Sequence, residues 1–121
     1  MSHSAKHHTI NYIEFAAADV ARAKQFYSAV FGWDFVDYGP EYASFSAALA
    51  GIDGGFRLSK PDEPYGSAAP LVVLYSADLK ATEAAIVAAG GTIVVPIFEF
   101  PGGRRFHFAD GVGNVLAVWS E

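Results

Sequence analysis

Four side chains of this sequence, Glu14, Arg57, Arg105 and His107, combine a charged or proton-exchanging group with a place in a strand-like stretch. Side chains alternate along a strand, so in Tyr12-Ile13-Glu14-Phe15 the polar-tipped Tyr12 and Glu14 share one face and the apolar pair shares the other. A carboxylate set among aromatic rings could act as a general acid or base, or anchor a ligand. Pairing with an arginine or with backbone amides is the plainer alternative. Burying a lone carboxylate is costly unless it is paired or protonated, so an acid kept at an inward position implies a use for it. His107 stands between Phe106 and Phe108 and alternates onto the face of Arg105. There an imidazole could exchange a proton with a substrate oxygen near neutral pH, or simply make a structural hydrogen bond. Arg57 and Arg105 could grip an anion through forked hydrogen bonds, or pair with acids. Tyr12, Tyr42, Tyr75 and Trp119 are large enough to wall a cup for an organic molecule, or to fill a core.

Composition removes several chemistries. The 121 residues include no cysteine, which excludes thiolate nucleophiles, disulfides and Cys-ligated zinc. Apart from His3, His7 and His8 in an N-terminal arm, residues 1–9, the one histidine is His107. That arm reads as disordered or tag-like and is set aside. A formal charge of -5, with scattered basic residues, makes nucleic acid an unexpected partner. No apolar run approaches the roughly 20 residues that span a bilayer, and the arm lacks the apolar stretch of a signal peptide. A soluble, cytoplasmic protein with no membrane partner is the expectation. Pro101-Gly102-Gly103 reads as a hairpin loop or a lid, without the lysine and helix of a phosphate loop.

The elements that must position these residues come in a repeat. Asp19 opens DVARAKQFYSAVFG and Asp78 opens DLKATEAAIVAAGG, each a natural N-cap before apolar residues at helical spacing and terminal glycines. Helices are therefore predicted near 19–31 and 78–89. Short apolar stretches, Ile10 to Phe15 and Leu71 to Tyr75, precede the caps and read as strands. Three further strands follow each helix: Trp33 to Tyr38, Tyr42 to Ala48 and Ile52 to Leu58 in the first half, then Thr92 to Ile97, Arg104 to Phe108 and Val115 to Trp119 in the second. The proline-rich segment 59–70 links module 10–58 to module 71–120 in a single domain, 10–120. Each module is too small to bury a good core alone, so the two should pack together or exchange between copies.

Two βαβββ modules in a chain of this size resemble the vicinal oxygen chelate superfamily, which includes glyoxalase I, bleomycin-resistance proteins and extradiol dioxygenases. The likeness rests on IEFAAADVARAKQFYSAVFGW, similar to the opening module of glyoxalase-like members, and on RFHFADGVGNVLAVW, similar to the closing hairpin, with Gly111 where proline is usual. It implies an α+β fold with curved mixed sheets and a cup-like site. It also implies a divalent metal held by His, Glu or Gln, but by the family's spacing those positions carry Tyr12, Leu71, Ala117 and the stretch Gly54-Gly55-Phe56. Strand carboxylates are few, Glu14 and Glu99 with Asp53 at a strand edge, and a two-ligand site from Glu14 and His107 would fall short of the three or four donors such metals need. The expectation is accordingly no metal cofactor and a small organic ligand in the cup, contacted by Tyr12, Arg57, Tyr75, Arg105, His107 and Trp119. The alternative is a glyoxalase-like lyase or isomerase with an atypical metal or none, using Glu14 as acid or base. A partner-binding module with a filled cup is a third possibility; the small residues Ala43, Ser44, Ser46, Ala47, Gly54 and Gly55 weigh against filling. Exposed sheet edges predict a homodimer.

Overall fold

The computed structural model describes residues 7, 8, 10–60 and 70–121. Its elements run β1 (Tyr12–Ala17), α1 (Val20–Phe31), β2 (Val36–Asp37), β3 (Tyr42–Phe45), α2 (Ala47–Ala50), β4 (Asp53–Leu58), β5 (Val73–Tyr75), α3 (Leu79–Ala88), β6 (Thr92–Phe100), β7 (Gly103–Ala109) and β8 (Val115–Ser120). They form two four-stranded mixed sheets of identical plan, β1-β4-β3-β2 and β5-β8-β7-β6. In each, the strand before the long helix pairs in parallel with the last strand of its half, and the other ladders are antiparallel. The repeated strand-helix-strand-strand-strand order is that expected from the sequence, with the short α2 added in the first half, and the α+β class is the one the resemblance implies.

Both caps form as the sequence dictates. Asp19 accepts from the Arg22 amide at 3.1 Å and Asp78 from the Ala81 amide at 3.1 Å. Helix α1 ends at Gly32, whose φ of 73° supplies the left-handed turn. Gly91 is required for another reason: a Cβ there would lie 2.7 Å from Ile86 and 3.0 Å from the Phe26 ring, where α3 and α1 approach.

Several boundaries differ from expectation. The stretch Trp33 to Tyr38 is a strand only at Val36–Asp37, because Trp33 leaves the sheet to become 6% exposed in the core, against Tyr27 and Phe45. The stretch from Tyr42 stops as a strand at Phe45. Asp53 accepts from the Ala47 amide at 2.7 Å and helps turn Ala47–Ala50 into the short α2. Strand β6 runs on to Phe100, pairing with β7 through two register shifts. Strand β1 starts at Tyr12 and β5 at Val73. Of the arm, His7 and His8 lie in a turn; residues 1–6 and 9, and residues 61–69 of the linker, lie outside the described residues.

One apolar cluster draws on both halves. Phe26, Tyr27, Trp33, Phe45 and Phe56 of the first pack with Leu79, Ile86, Phe106, Phe108, Leu116 and Val118 of the second. The Phe26 and Phe31 rings of α1 stand 6.0 and 6.1 Å from that of Phe108 on β7, so α1 touches the second sheet as well as its own. Burial of this many large side chains, each contributing about 1.5–3 kcal/mol, supplies the main driving force for joining the halves.

Their register is set by a buried polar knot. The Tyr27 hydroxyl donates to Asp110 Oδ2 at 2.9 Å, and Asp110 Oδ1 accepts from the amides of Val112 and Asn114. Asn114 Nδ2 donates both to Asp110 Oδ2 and to the Ala16 carbonyl of β1 at 2.9 Å. The Ala18 amide reaches the Val112 carbonyl at 2.9 Å. Asp110 is 1% exposed, and the closing hairpin of the second half is thereby tied to the first strand and helix of the first half.

Candidate functional site

The helix-covered faces of both sheets are turned into the shared core. Ile13, Phe15, Phe106 and Phe108 point there, so by alternation Tyr12 and Glu14 lie on the open face of the first sheet, and Arg105 and His107 on that of the second. The register aligns corresponding rungs. Glu14, Gly55 and Ser44 stand side by side on the first sheet, where the second has Val73, Ala117 and His107. The neighbouring rung reads Ala16, Arg57 and Tyr42 on the first and Tyr75, Trp119 and Arg105 on the second. One backbone plan thus presents an acid and a phenol at one site, and an imidazole and a guanidinium at the other.

On the first face Tyr42 donates to Glu14 Oε1 at 2.9 Å, and the Tyr12 and Tyr42 hydroxyls are 2.5 Å apart. With the Tyr42 proton committed to the carboxylate, Tyr12 must be the donor between the two phenols. Arg57 Nε lies 3.5 Å from Glu14 Oε2. Partial burial, then the bond from Tyr12 and then the one to Glu14, push ionisation of Tyr42 far above the ordinary phenol range, so it stays a donor. The Glu14 side chain is 44% exposed. The expectation of a lone buried carboxylate is corrected: Glu14 is open to solvent and already partnered, so its cost of placement is small. Beside it a cleft of about 500 Å³ is lined by Tyr12, Asp34, Val36, Tyr42, Ser44 and Asp53.

The small residues do not all leave room, as the sequence had implied. Ala43 is fully buried, and a Cβ at Gly54 would meet the Ile13 carbonyl and the Phe45 ring. A Cβ at Gly55 would stand 2.5 Å from the Tyr42 hydroxyl, which is why only glycine lets that ring lie across the sheet toward Glu14. Gly55→Ala should therefore leave the protein folded but displace Tyr42. The expected result is a downward shift of the Tyr42 phenol titration in an ultraviolet pH scan, with wild-type behaviour overturning this account.

On the second face Arg105 lies over two rings, 5.3 Å from the centroid of Phe98 and 5.5 Å from that of Phe100. Trp119 meets Tyr75 and Phe100 edge to face, at 5.1 and 6.3 Å. Tyr75 donates to Glu121. His107 sits 5.9 Å from Phe98; burial, and then the charge of Arg105, hold its pKa below the usual imidazole value, so the ring is neutral at pH 7.

The residues singled out from the sequence therefore form two groups, Tyr12, Glu14 and Arg57 on one sheet and Tyr75, Arg105, His107 and Trp119 on the other, with the core between. Tyr42 proves central to the first group, and Phe98 and Phe100 to the second. The alternation Phe98-Glu99-Phe100 was the available signal for the latter pair, obscured by the irregular register of β6.

Comparison with known proteins agrees with this architecture. The family model of the Glyoxalase/Bleomycin resistance protein/Dioxygenase superfamily matches residues 9–118, and the chain belongs to that family. Among relatives, "Putative glyoxylase CFP32" of Mycobacterium tuberculosis is 26% identical over 118 residues, covering 92% of this chain; the chain spans 45% of that relative's length. Among solved structures, a glyoxalase-related enzyme from Fulvimarina pelagi superposes with a TM-score of 0.78 at 20% identity, over 94% of this chain and 88% of the other. A lactoylglutathione lyase from Agrobacterium tumefaciens gives 0.66 at 17% identity, over 93% of each chain. At these identities the solved structures speak for the fold alone.

The divalent metal implied by the fold family meets a poor donor set here. Tyr12 spends its hydroxyl on Tyr42, Ala117 brings no donor to the rung it shares with His107, and Leu71 is apolar. Among the described residues no three His, Cys, Asp or Glu side chains gather in a group that could hold a metal ion. The residues present do not fit the group. No helix among the described residues is long and apolar enough to cross a membrane.

Proposed function

We propose that this protein binds a small organic molecule in the cup, without a resident metal, and that Glu14 is the polar anchor of the site. The observation that carries this reading is the chain Tyr12, Tyr42, Glu14 on an open sheet face beside a cleft, with Arg57 behind the carboxylate. Tyr42 occupies Oε1 and Arg57 leans on Oε2, which fixes the carboxylate while leaving it exposed to accept a hydrogen bond from a ligand.

The functional unit in this reading is a homodimer. The open faces leave Tyr12 46%, Val36 58%, Val73 41% and Tyr75 54% exposed, an apolar surface on both sheets that the described residues do not cover. A twofold contact placing the first sheet's face against the second sheet's face of the partner would cover both at once and complete two cups.

The anchored carboxylate favours a second reading, a lyase or isomerase of the glyoxalase type. There Glu14 would take a proton from a carbon next to a carbonyl and return it to the adjacent position, with Tyr42 keeping the carboxylate in place. The cup reading is tested with the arm-free protein on three measurements. Elemental analysis should give less than stoichiometric divalent metal, light scattering should give a dimer, and a small-molecule library should return a ligand that raises the melting temperature and shifts signals of Glu14 and Tyr42. One equivalent of tightly held metal, or a hit that leaves those signals still, overturns it.

A further inference from the structure

The second sheet carries an unusual pair of nitrogens. Arg105 Nε and His107 Nε2 are the two buried side-chain polar atoms that have no hydrogen-bond partner among the described residues. An orphaned buried polar atom costs about 1–3 kcal/mol, and two on one face of one strand are not expected from packing alone. No carboxylate is paired with Arg105 among the described residues. The nearby Glu121 is engaged by the Tyr75 hydroxyl. The guanidinium is instead held by the rings of Phe98 and Phe100, a setting that fixes its plane without neutralising its charge. Trp119, the cross-strand neighbour of Arg105, extends the aromatic wall toward Tyr75.

We infer that the face formed by Arg105, His107, Phe98, Phe100 and Trp119 is the anion-recognising half of the cup, and that its ligand is an aromatic carboxylate. The carboxylate would accept from Arg105 and from His107, while the flat body of the ligand lies against Trp119 and the phenylalanine rings. A purely apolar ligand would leave the two nitrogens unsatisfied, and a small inorganic anion would leave the aromatic wall bare. Arg105 and His107 are partly exposed as residues although these two nitrogens are themselves covered, so a ligand that pairs with the nitrogens displaces neighbouring side chains as it enters. This inference rests on the reading of the cup as a small-molecule site and names the chemical class that site prefers.

The test uses the full chain with benzoate, benzamide and acetate as probes, followed by the indole and imidazole signals of Trp119 and His107 in NMR titrations. Benzoate should shift both residues saturably, and its neutral isostere benzamide and the ring-less acetate should each bind about tenfold or more weakly. Arg105→Met should weaken benzoate by about tenfold or more and leave benzamide unchanged, while Arg105→Lys should recover part of the loss. Far-ultraviolet circular dichroism establishes that each variant is folded, and His107→Gln provides a second, independent loss of benzoate affinity. Equal binding of benzoate and benzamide, with no response to Arg105→Met, would overturn the anion assignment while leaving the cup as a small-molecule site. Absence of any shift with benzoate also overturns it, and the library screen above then judges the cup reading by itself.

Discussion

Asp110→Ala should lower the melting temperature by roughly 10–15 °C, more than any other single polar substitution in the molecule. The carboxylate accepts from Tyr27, Val112, Asn114 and the Asn114 side chain, and it is 1% exposed. Alanine leaves those donors without an acceptor in a space that water does not reach, at a cost of about 3–4 kcal/mol. Asn114 would also lose the support that aims it at the Ala16 carbonyl, so the hairpin would loosen from β1. Asp110→Asn should fall between wild type and alanine, because an amide oxygen serves the two backbone donors but its NH2 group opposes that of Asn114. Thermal unfolding followed by circular dichroism is the measurement, and a loss of less than about 3 °C would show that the halves are registered by apolar packing alone.

The same knot gives a dependence on alkali. Burial first, and then the charge and hydrogen bond of Asp110, raise the pKa of Tyr27 well above the usual phenol value. The unfolded chain therefore releases this proton at lower pH than the folded one. Its contribution to stability is whole below about pH 10 and is lost as pH climbs toward the raised folded value. Tyr27→Phe should be less stable at pH 7 and should show a shallower decline between about pH 10 and 11.

Glu14→Gln should reduce ligand affinity by about tenfold to a hundredfold, or turnover by about a hundredfold or more if the site is catalytic. The amide keeps the shape and can still accept from Tyr42, but it loses the charge that Arg57 supports and cannot take a proton. Stability should change by no more than about 3 °C, since an ion pair this exposed is worth about 1 kcal/mol or less. This separation of binding from folding is the diagnostic feature. A variant that unfolds would make Glu14 a structural partner, and one that binds and turns over normally would place the site elsewhere. Comparison with Arg105→Met then divides the cup into its two halves, because benzoate affinity should respond strongly to Arg105.

Much of the fold was legible in the sequence because its punctuation is local. Asp19 and Asp78 cap helices through amides three residues on, and Gly32 ends α1 through its own left-handed backbone. Alternation placed Tyr12 with Glu14 and Arg105 with His107, and the resemblance of the two quoted motifs led to the family. Strand ends were less legible, because they depend on partners. Trp33 lies in a stretch with strand character, yet it finds a better place among Tyr27, Phe31 and Phe45 than in a ladder.

The sequence by itself determined the repeat and the order of strands and helix in each half, since both follow from residue types and short spacings. The curved sheets and the family's ligand positions, which here carry Tyr12, Leu71 and Ala117, were implied by the resemblance. Only the tertiary structure decided which candidates meet. Tyr42 reaches Glu14 because Gly55 has no side chain in the way, across strands that are distant along the chain. Among the described residues no acid pairs with Arg105, and Phe98 and Phe100 of the bulged β6 lie against it instead. The helices pack between the sheets and turn Glu14 and Arg105 onto separate open faces, so the physical reason is burial. Covering the helix-side faces of both modules in one core leaves their other faces, with Glu14 and Arg105, outward, an arrangement set by three-dimensional packing and invisible to periodicity along the chain.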